Sequence, residues 1–216
     1  MKRLLSAFSY SVGRKVVMAL TGLFLIVFLV EHLIGNFLLL KDDGGEAFNA
    51  YSASMVHNLL IRVVEVLLFA SIIVHVVDGL QLALSARTKR NRRYAVRHRS
   101  GSWTARNMII TGMVILVFLV VHLYTFFVPY RIVGIDGTLY DLVVAAFASP
   151  VYVAFYVGAF VFLALHLKHA FVSSFQTLGL RHLKYDRLIE AVGTLYAVLV
   201  PLGYAVIAIA IYLKTI

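Results

Sequence analysis

The sequence predicts an all-α integral membrane protein: five transmembrane helices, the first four forming a bundle built by duplicating a two-helix unit. Three observations carry this. Of 216 residues, 62% are apolar and the mean hydropathy is +0.91, far too little polar surface for a soluble domain of this size. Five apolar runs reach the roughly 20 residues that cross about 30 Å of hydrocarbon. One of those runs is written twice.

The runs lie near 16–40, 59–85, 107–129, 150–174 and 191–213, and together they make residues 1–216 a single domain. Before the first run stands MKRLLSAFSYSVGRK, which is basic and lacks a long apolar stretch with a cleavage site, so an uncleaved start is expected. The first run contains FLVEHLIGNF (28–37), with Glu31 beside His32, and the third contains VFLVVHLYTFF (117–127), with the histidine kept and the glutamate gone. The fifth holds Pro201, the only proline well inside a run.

Lysines and arginines set the expected orientation. Those before the first run (Lys2, Arg3, Arg14, Lys15), between the second and third (Arg87 to Arg106) and between the fourth and fifth (Arg181, Lys184, Arg187) number 15 of 20. The other face mixes Lys41, Arg62, Arg131 and Lys214 with Asp42, Asp43, Glu46, Asp136 and Asp141. The N-terminus is therefore expected in the cytoplasm and the C-terminus outside a bacterial-type cytoplasmic membrane. The net charge of +10 is largely this asymmetry. RTKRNRRYAVRHR sits beside membrane spans, which favours lipid phosphates or an acidic partner protein over nucleic acid. With no cysteine, the chain forms no disulfide, thiolate zinc site or iron–sulfur cluster of its own.

Residues 19–33 (ALTGLFLIVFLVEHL) align with 109–123 (IITGMVILVFLVVHL) at an offset of 90, with eight of fifteen identical. Valine and leucine match easily in apolar runs, so the shared Thr-Gly and His carry the weight. The second and fourth runs, at an offset of 91, share little beyond Val, Phe and His. Each of the first four runs thus carries one histidine at a comparable place: His32, His75, His122 and His166. At about 1.5 Å per residue, His32 and His122 lie at one level in the outer half, 17 residues beyond Lys15 and 16 beyond Arg106. His75 and His166 share a second, more inward level, 12 residues before Arg87 and 15 before Arg181.

A lone intramembrane histidine can simply bond a neighbouring carbonyl, but ionisable groups there are costly and default to function. Four in two level pairs ask for a ligand. Zinc or copper needs three or four donors converging on one point. Haem needs two axial imidazoles from different helices in an apolar slot, so two stacked haems b fit best. Gly22, Gly35, Gly112 and Gly158 would let a flat macrocycle approach, or would equally serve close helix packing. Arg14, Lys15, Arg106 and Lys168 are candidate propionate partners, with interfacial anchoring the alternative.

At these residues the chain resembles a known family: the single-chain, five-helix, di-haem cytochrome b membrane anchor of succinate dehydrogenase and fumarate reductase (complex II). The resemblance covers essentially the whole chain, most clearly at SVGRKVVMALTG (11–22), SGSWTARNMIITG (100–112) and HLKHAFVSSFQTLG (166–179). The last has the family's histidine followed thirteen residues on by glycine, a resemblance that implies His166 rather than His169 as ligand. The resemblance implies that His32 and His122 hold a distal haem and His75 and His166 a proximal one, the pairs the depth count gives. It implies flavoprotein and iron–sulfur subunits on the cytoplasmic face, with electrons passing between their clusters, the haems and a membrane quinone, taken as menaquinone. This chain would carry quinone redox only and no succinate chemistry.

A quinone needs hydrogen-bond donors and a proton-exchanging group. Glu31 is one candidate, or else a buried acid bonded to a neighbouring helix. Asp42, Asp43 and Glu46 read as a solvated loop. His169 and Asp78, each three residues beyond a proximal ligand, are candidates for the inner haem's edge or a proximal quinone pocket, with core packing the equal alternative. Some relatives have a glutamate two residues before the fourth-helix ligand; here that position is Ala164. His57, His98 and His182 receive no role. Two rival readings stay open: a cytochrome b anchor of a hydrogenase or formate dehydrogenase, and a transporter with a histidine relay, although its repeats would usually be inverted.

Overall fold

In hydrocarbon every backbone N–H and C=O must be bonded within the chain, and apolar runs of this length satisfy that condition as helices. The computed structural model describes residues 11–90 and 107–216, and among these every regular element is helical. In chain order they are α1 (Ser11–Phe37), α2 (Glu46–His57), α3 (Leu59–Arg90), α4 (Met108–His122), α5 (Leu139–Phe147), α6 (Pro150–Thr177) and α7 (Asp186–Thr215). Five helices are long and apolar enough to cross a membrane: Val12–Leu40, Leu59–Ser85, Met108–Val133, Pro150–Thr177 and Asp186–Thr215. This is a multi-pass, all-α membrane protein.

The boundaries depart from the apolar runs in instructive ways. α1 begins ahead of Arg14 and Lys15, and α7 begins at Asp186 rather than near 191. Helical hydrogen bonding carries on past the apolar edge because long basic side chains can reach the interface from inside a helix. The third span runs to Val133 instead of 129, as two π-helical stretches, Leu123–Phe127 and Pro129–Val133. Pro129 has no N–H to give to the residue four back, so the ladder widens there rather than stopping. Arg131 then reaches across to α3, its Nη2 lying 3.2 and 2.9 Å from the two carboxylate oxygens of Glu65.

Two short helices, α2 and α5, cap the end of the bundle away from Arg14 and Lys15, termed the outer end after the orientation expected from the sequence. The Asp43 carboxylate accepts from the backbone N–H of Gly45 (3.0 Å) and Ala47 (3.1 Å), which starts α2. Asp42 pairs with Lys214 at the end of α7. The acids read as a solvated loop are exposed, yet they fasten this cap, and Glu46 lies in the first turn of α2. Gly45 has φ +87°, and a Cβ there would lie 2.2 Å from Cγ of Tyr140, so no other residue fits. α5 starts on a capping box: Thr138 Oγ1 accepts from Asp141 N (3.2 Å), and Thr138 N donates to the Asp141 carboxylate (3.0 Å).

α3 packs chiefly on α1, α4 on α6, and α1 also on α6, so the two-helix units are α1 with α3 and α4 with α6. α7 stands outside the repeat but packs on α6 and α1. Two of its tyrosines donate to α1 carbonyls, Tyr196 to Ile26 (2.6 Å) and Tyr204 to Leu29 (2.7 Å). The larger core lies toward the outer cap, around Leu33, Leu39, Phe147, Tyr156, Phe160 and Tyr204; a smaller one, with Ile26, Leu167, Phe171 and Ala197, lies inward.

Candidate functional site

The four histidines meet in two couples, each joining one helix of the first unit to one of the second. His32 on α1 faces His122 on α4, with ring centroids 5.8 Å apart and planes at 89°. His75 on α3 faces His166 on α6, at 6.5 Å and 67°. A metal bound about 2 Å from each of two facing imidazole nitrogens would put the ring centroids roughly 6 Å apart. Both couples have that spacing.

The outer couple sits among aromatic rings. Phe28 stacks on His32 (5.3 Å), while Phe118 stacks on His122 (5.7 Å) and Phe126 meets it edge-on (5.4 Å). His122 Nδ1 lies 3.1 Å from the hydroxyl of Tyr156, which is 2.9 Å from that of Tyr152. If Tyr156 gives its proton to Tyr152, it can accept from an Nδ1–H of His122 and leave Nε2 with a bare lone pair. Among the described residues the ring of His32 has no hydrogen-bond partner, although its carbonyl accepts from Asn36 (2.7 Å).

The inner couple is held differently. His75 Nδ1 lies 3.3 Å from Thr21 Oγ1, and His166 Nδ1 lies 3.2 Å from Thr111 Oγ1. These are the threonines of the repeated Thr-Gly. The glycine beside each makes room for the imidazole: a Cβ on Gly22 would come 3.3 Å from His75 Cε1, and one on Gly112 would come 3.5 Å from His166 Cε1. Thr21 to His32 and Thr111 to His122 both span eleven residues of helix, which puts the two couples about 16 Å apart along the axis at 1.5 Å per residue.

Other candidates sort themselves by this frame. Space at Gly22 and Gly112 is filled by imidazole, and at Gly35 by the Tyr51 ring, 2.6 Å from where a Cβ would sit. Gly158 is exposed, and a Cβ there would meet nothing within 4 Å. Glu31 is exposed and accepts a hydrogen bond from the hydroxyl of Tyr51 on α2. The two line an otherwise apolar groove of about 410 Å³ with Ile26, Val27, Val30 and Ile34. Arg14, half-buried, and Lys15, exposed, lie at the inward end of α1; Lys168 is exposed two residues past His166. His169 and Asp78 are half-buried, one turn from His166 and His75 respectively. Arg106 lies outside the described residues, as do the basic residues 92–99 and His98. Thr21, Thr111, Tyr51 and Tyr156 were not singled out as partners from sequence. The repeated Thr-Gly was the one visible trace of the first two.

Among the described residues, no three His, Asp or Glu side chains gather where they could hold a metal ion. Each couple therefore offers two ligands and no more. No family model, curated protein or solved structure matches this chain.

Proposed function

We propose that the chain is a di-haem cytochrome b that anchors a succinate:quinone oxidoreductase and carries electrons between its iron–sulfur subunit and membrane quinone. The observation that carries this reading is the pair of facing histidine couples, 5.8 and 6.5 Å between centroids, at two levels of one bundle. A bare ion held by two protein ligands would need others from solvent, which the hydrocarbon does not supply. A porphyrin brings four of its own, and a neutral imidazole adds no net side-chain charge to the membrane. When bound, such haems supply one-electron relay sites, and two of them divide a thickness that a single tunnelling step would cross slowly.

The chain's own residues would do the rest. His32 with His122, and His75 with His166, would hold the outer and inner iron. The aromatic rings around the outer couple exclude water, and Arg14 and Lys15 stand at the inward end of the bundle for propionates. A quinone, taken as menaquinone, would find in the groove beside α1 an apolar wall with one polar couple, Glu31 and Tyr51, against which a carbonyl could hydrogen-bond. The flavoprotein and iron–sulfur subunits would dock on the face with the basic connections, expected to be cytoplasmic, because soluble heads need charged rather than apolar contact there.

The test is optical. Detergent-purified chain reduced with dithionite should show b-type α bands, with about two haems per chain by pyridine haemochrome. Replacing His75 or His166 with alanine should remove one haem and leave the other. A chain with no haem would sink the reading and leave a histidine relay standing. A di-haem chain that co-purifies with a hydrogenase or formate dehydrogenase head, and not with a succinate-oxidising flavoprotein, would overturn the assigned partner.

A further inference from the structure

We propose that Thr21 and Thr111 are positioning residues that fix the tautomer of the inner histidine couple, so that each Nε2 presents a bare lone pair for axial ligation. The proposal rests on the haem reading above and assigns a purpose to the repeated Thr-Gly.

A threonine hydroxyl has one hydrogen. Thr21 Oγ1 lies 2.9 Å from the carbonyl of Val17 and 3.2 Å from that of Met18, closer than the 3.3 Å to His75 Nδ1. Carbonyls only accept, so the hydroxyl hydrogen stays on α1 and Oγ1 is left as an acceptor. His75 Nδ1 must then carry the proton. Thr111 repeats the arrangement, with its oxygen 3.0 Å from the carbonyl of Met108 and 3.2 Å from His166 Nδ1. An imidazole protonated at Nδ1 has its only free lone pair at Nε2, and the hydrogen bond made by the first nitrogen sets the direction and basicity of the second.

Gly22 and Gly112 complete the device by letting the ring lie against the neighbouring helix. Each threonine reaches the histidine of its own two-helix unit, 54 residues on in the first copy and 55 in the second. Each couple, by contrast, joins the two units. One ancestral unit carrying Thr-Gly and one inward histidine would thus bring its own correctly oriented ligand, and pairing two units would complete the site. The outer couple lacks this symmetry, since His122 leans on a phenol and the ring of His32 on no polar group among the described residues.

The hydrogen bond from Nδ1–H to the threonine puts electron density into the ring and favours ferric over ferrous iron, so its loss should raise the midpoint potential. The experiment is a redox titration at the α band, on the full-length chain in membranes with haem b incorporated during expression. His75→Ala identifies which midpoint belongs to the inner haem. Thr21→Val and Thr111→Val, which keep the side-chain shape and delete the hydroxyl, should each shift that midpoint upward and leave the outer one in place. Thr21→Ser and Thr111→Ser should restore it. Loss of the inner haem alone in the valine variants, with retention in the serine variants, would also support the assignment. Two midpoints unmoved by valine, both moved alike, or both haems lost together would overturn it. A wild-type chain without haem fails the functional reading itself.

Discussion

Tyr51 lies across α1 where Gly35 leaves room, and its hydroxyl donates to Glu31, the acid adjacent to His32 in sequence. Burial first, then the hydrogen bond and the charge of Glu31, push its phenol up to about 12. A phenol whose folded value is raised adds stability that is fully present below its unfolded value, near 10, and is lost as pH climbs through about 12. The phenolate absorbance of wild type minus Tyr51→Phe should therefore show no ionisation at pH 10 and a rise near 12. A difference curve centred at 10 would mean that neither the burial of Tyr51 nor its contact with Glu31 persists in the membrane. Replacing Glu31 with glutamine should lower the value only part of the way, because burial is the larger cause.

The spans were legible because their apolarity and length leave one outcome in hydrocarbon, whereas α2 and α5, of 12 and 9 residues, are too short to announce themselves. Asp141 shows how such an element is fixed locally: the hydroxyl and then the backbone N–H of Thr138 hold its carboxyl below the usual range. The histidine couples set together by counting depth along each span are the ones whose rings meet. Thr21 and Thr111 were harder, since a threonine inside a helix normally bonds back to its own carbonyls, and only the placement of the neighbouring helix shows what its oxygen accepts. The close approach of α7 to α6 was equally hidden. A Cβ on Gly193 would stand 2.7 Å from Cδ1, 3.1 Å from Cγ and 3.3 Å from Cβ of Phe171, atoms too near the backbone to swing aside. Gly193→Ala should separate these helices and cost about 1–3 kcal/mol, read as a lower midpoint of thermal unfolding in detergent. A midpoint equal to wild type would show that α7 has slack against the bundle.

Across the whole molecule, two asymmetries have to agree. The inner couple lies toward the inward end of α1, near Arg14 and Lys15, and the outer couple lies toward the cap formed by α2 and α5. In the sequence, 15 of the 20 basic residues precede the first span or fall between the second and third or the fourth and fifth, whereas the acids Asp42, Asp43, Glu46, Asp136 and Asp141 fall in the other connections. Since lysine and arginine near the ends of spans are retained in the cytoplasm, the inner couple should lie nearer the cytoplasmic surface. The outer couple should lie nearer the opposite surface, about 16 Å further along the bundle axis. The five candidate spans among the described residues, an odd number, would put the two termini on opposite sides. A reporter fused after Ile216 should be active only when it needs export, as alkaline phosphatase does, and a fluorescent protein fused before Met1 should fluoresce in the cytoplasm. The reverse pattern would place His32 and His122 nearest the cytoplasm. Under the proposed function it would also require electrons from a cytoplasmic donor to enter by the couple whose histidines lean on tyrosine and phenylalanine, leaving the threonine-seated couple at the far side of the membrane.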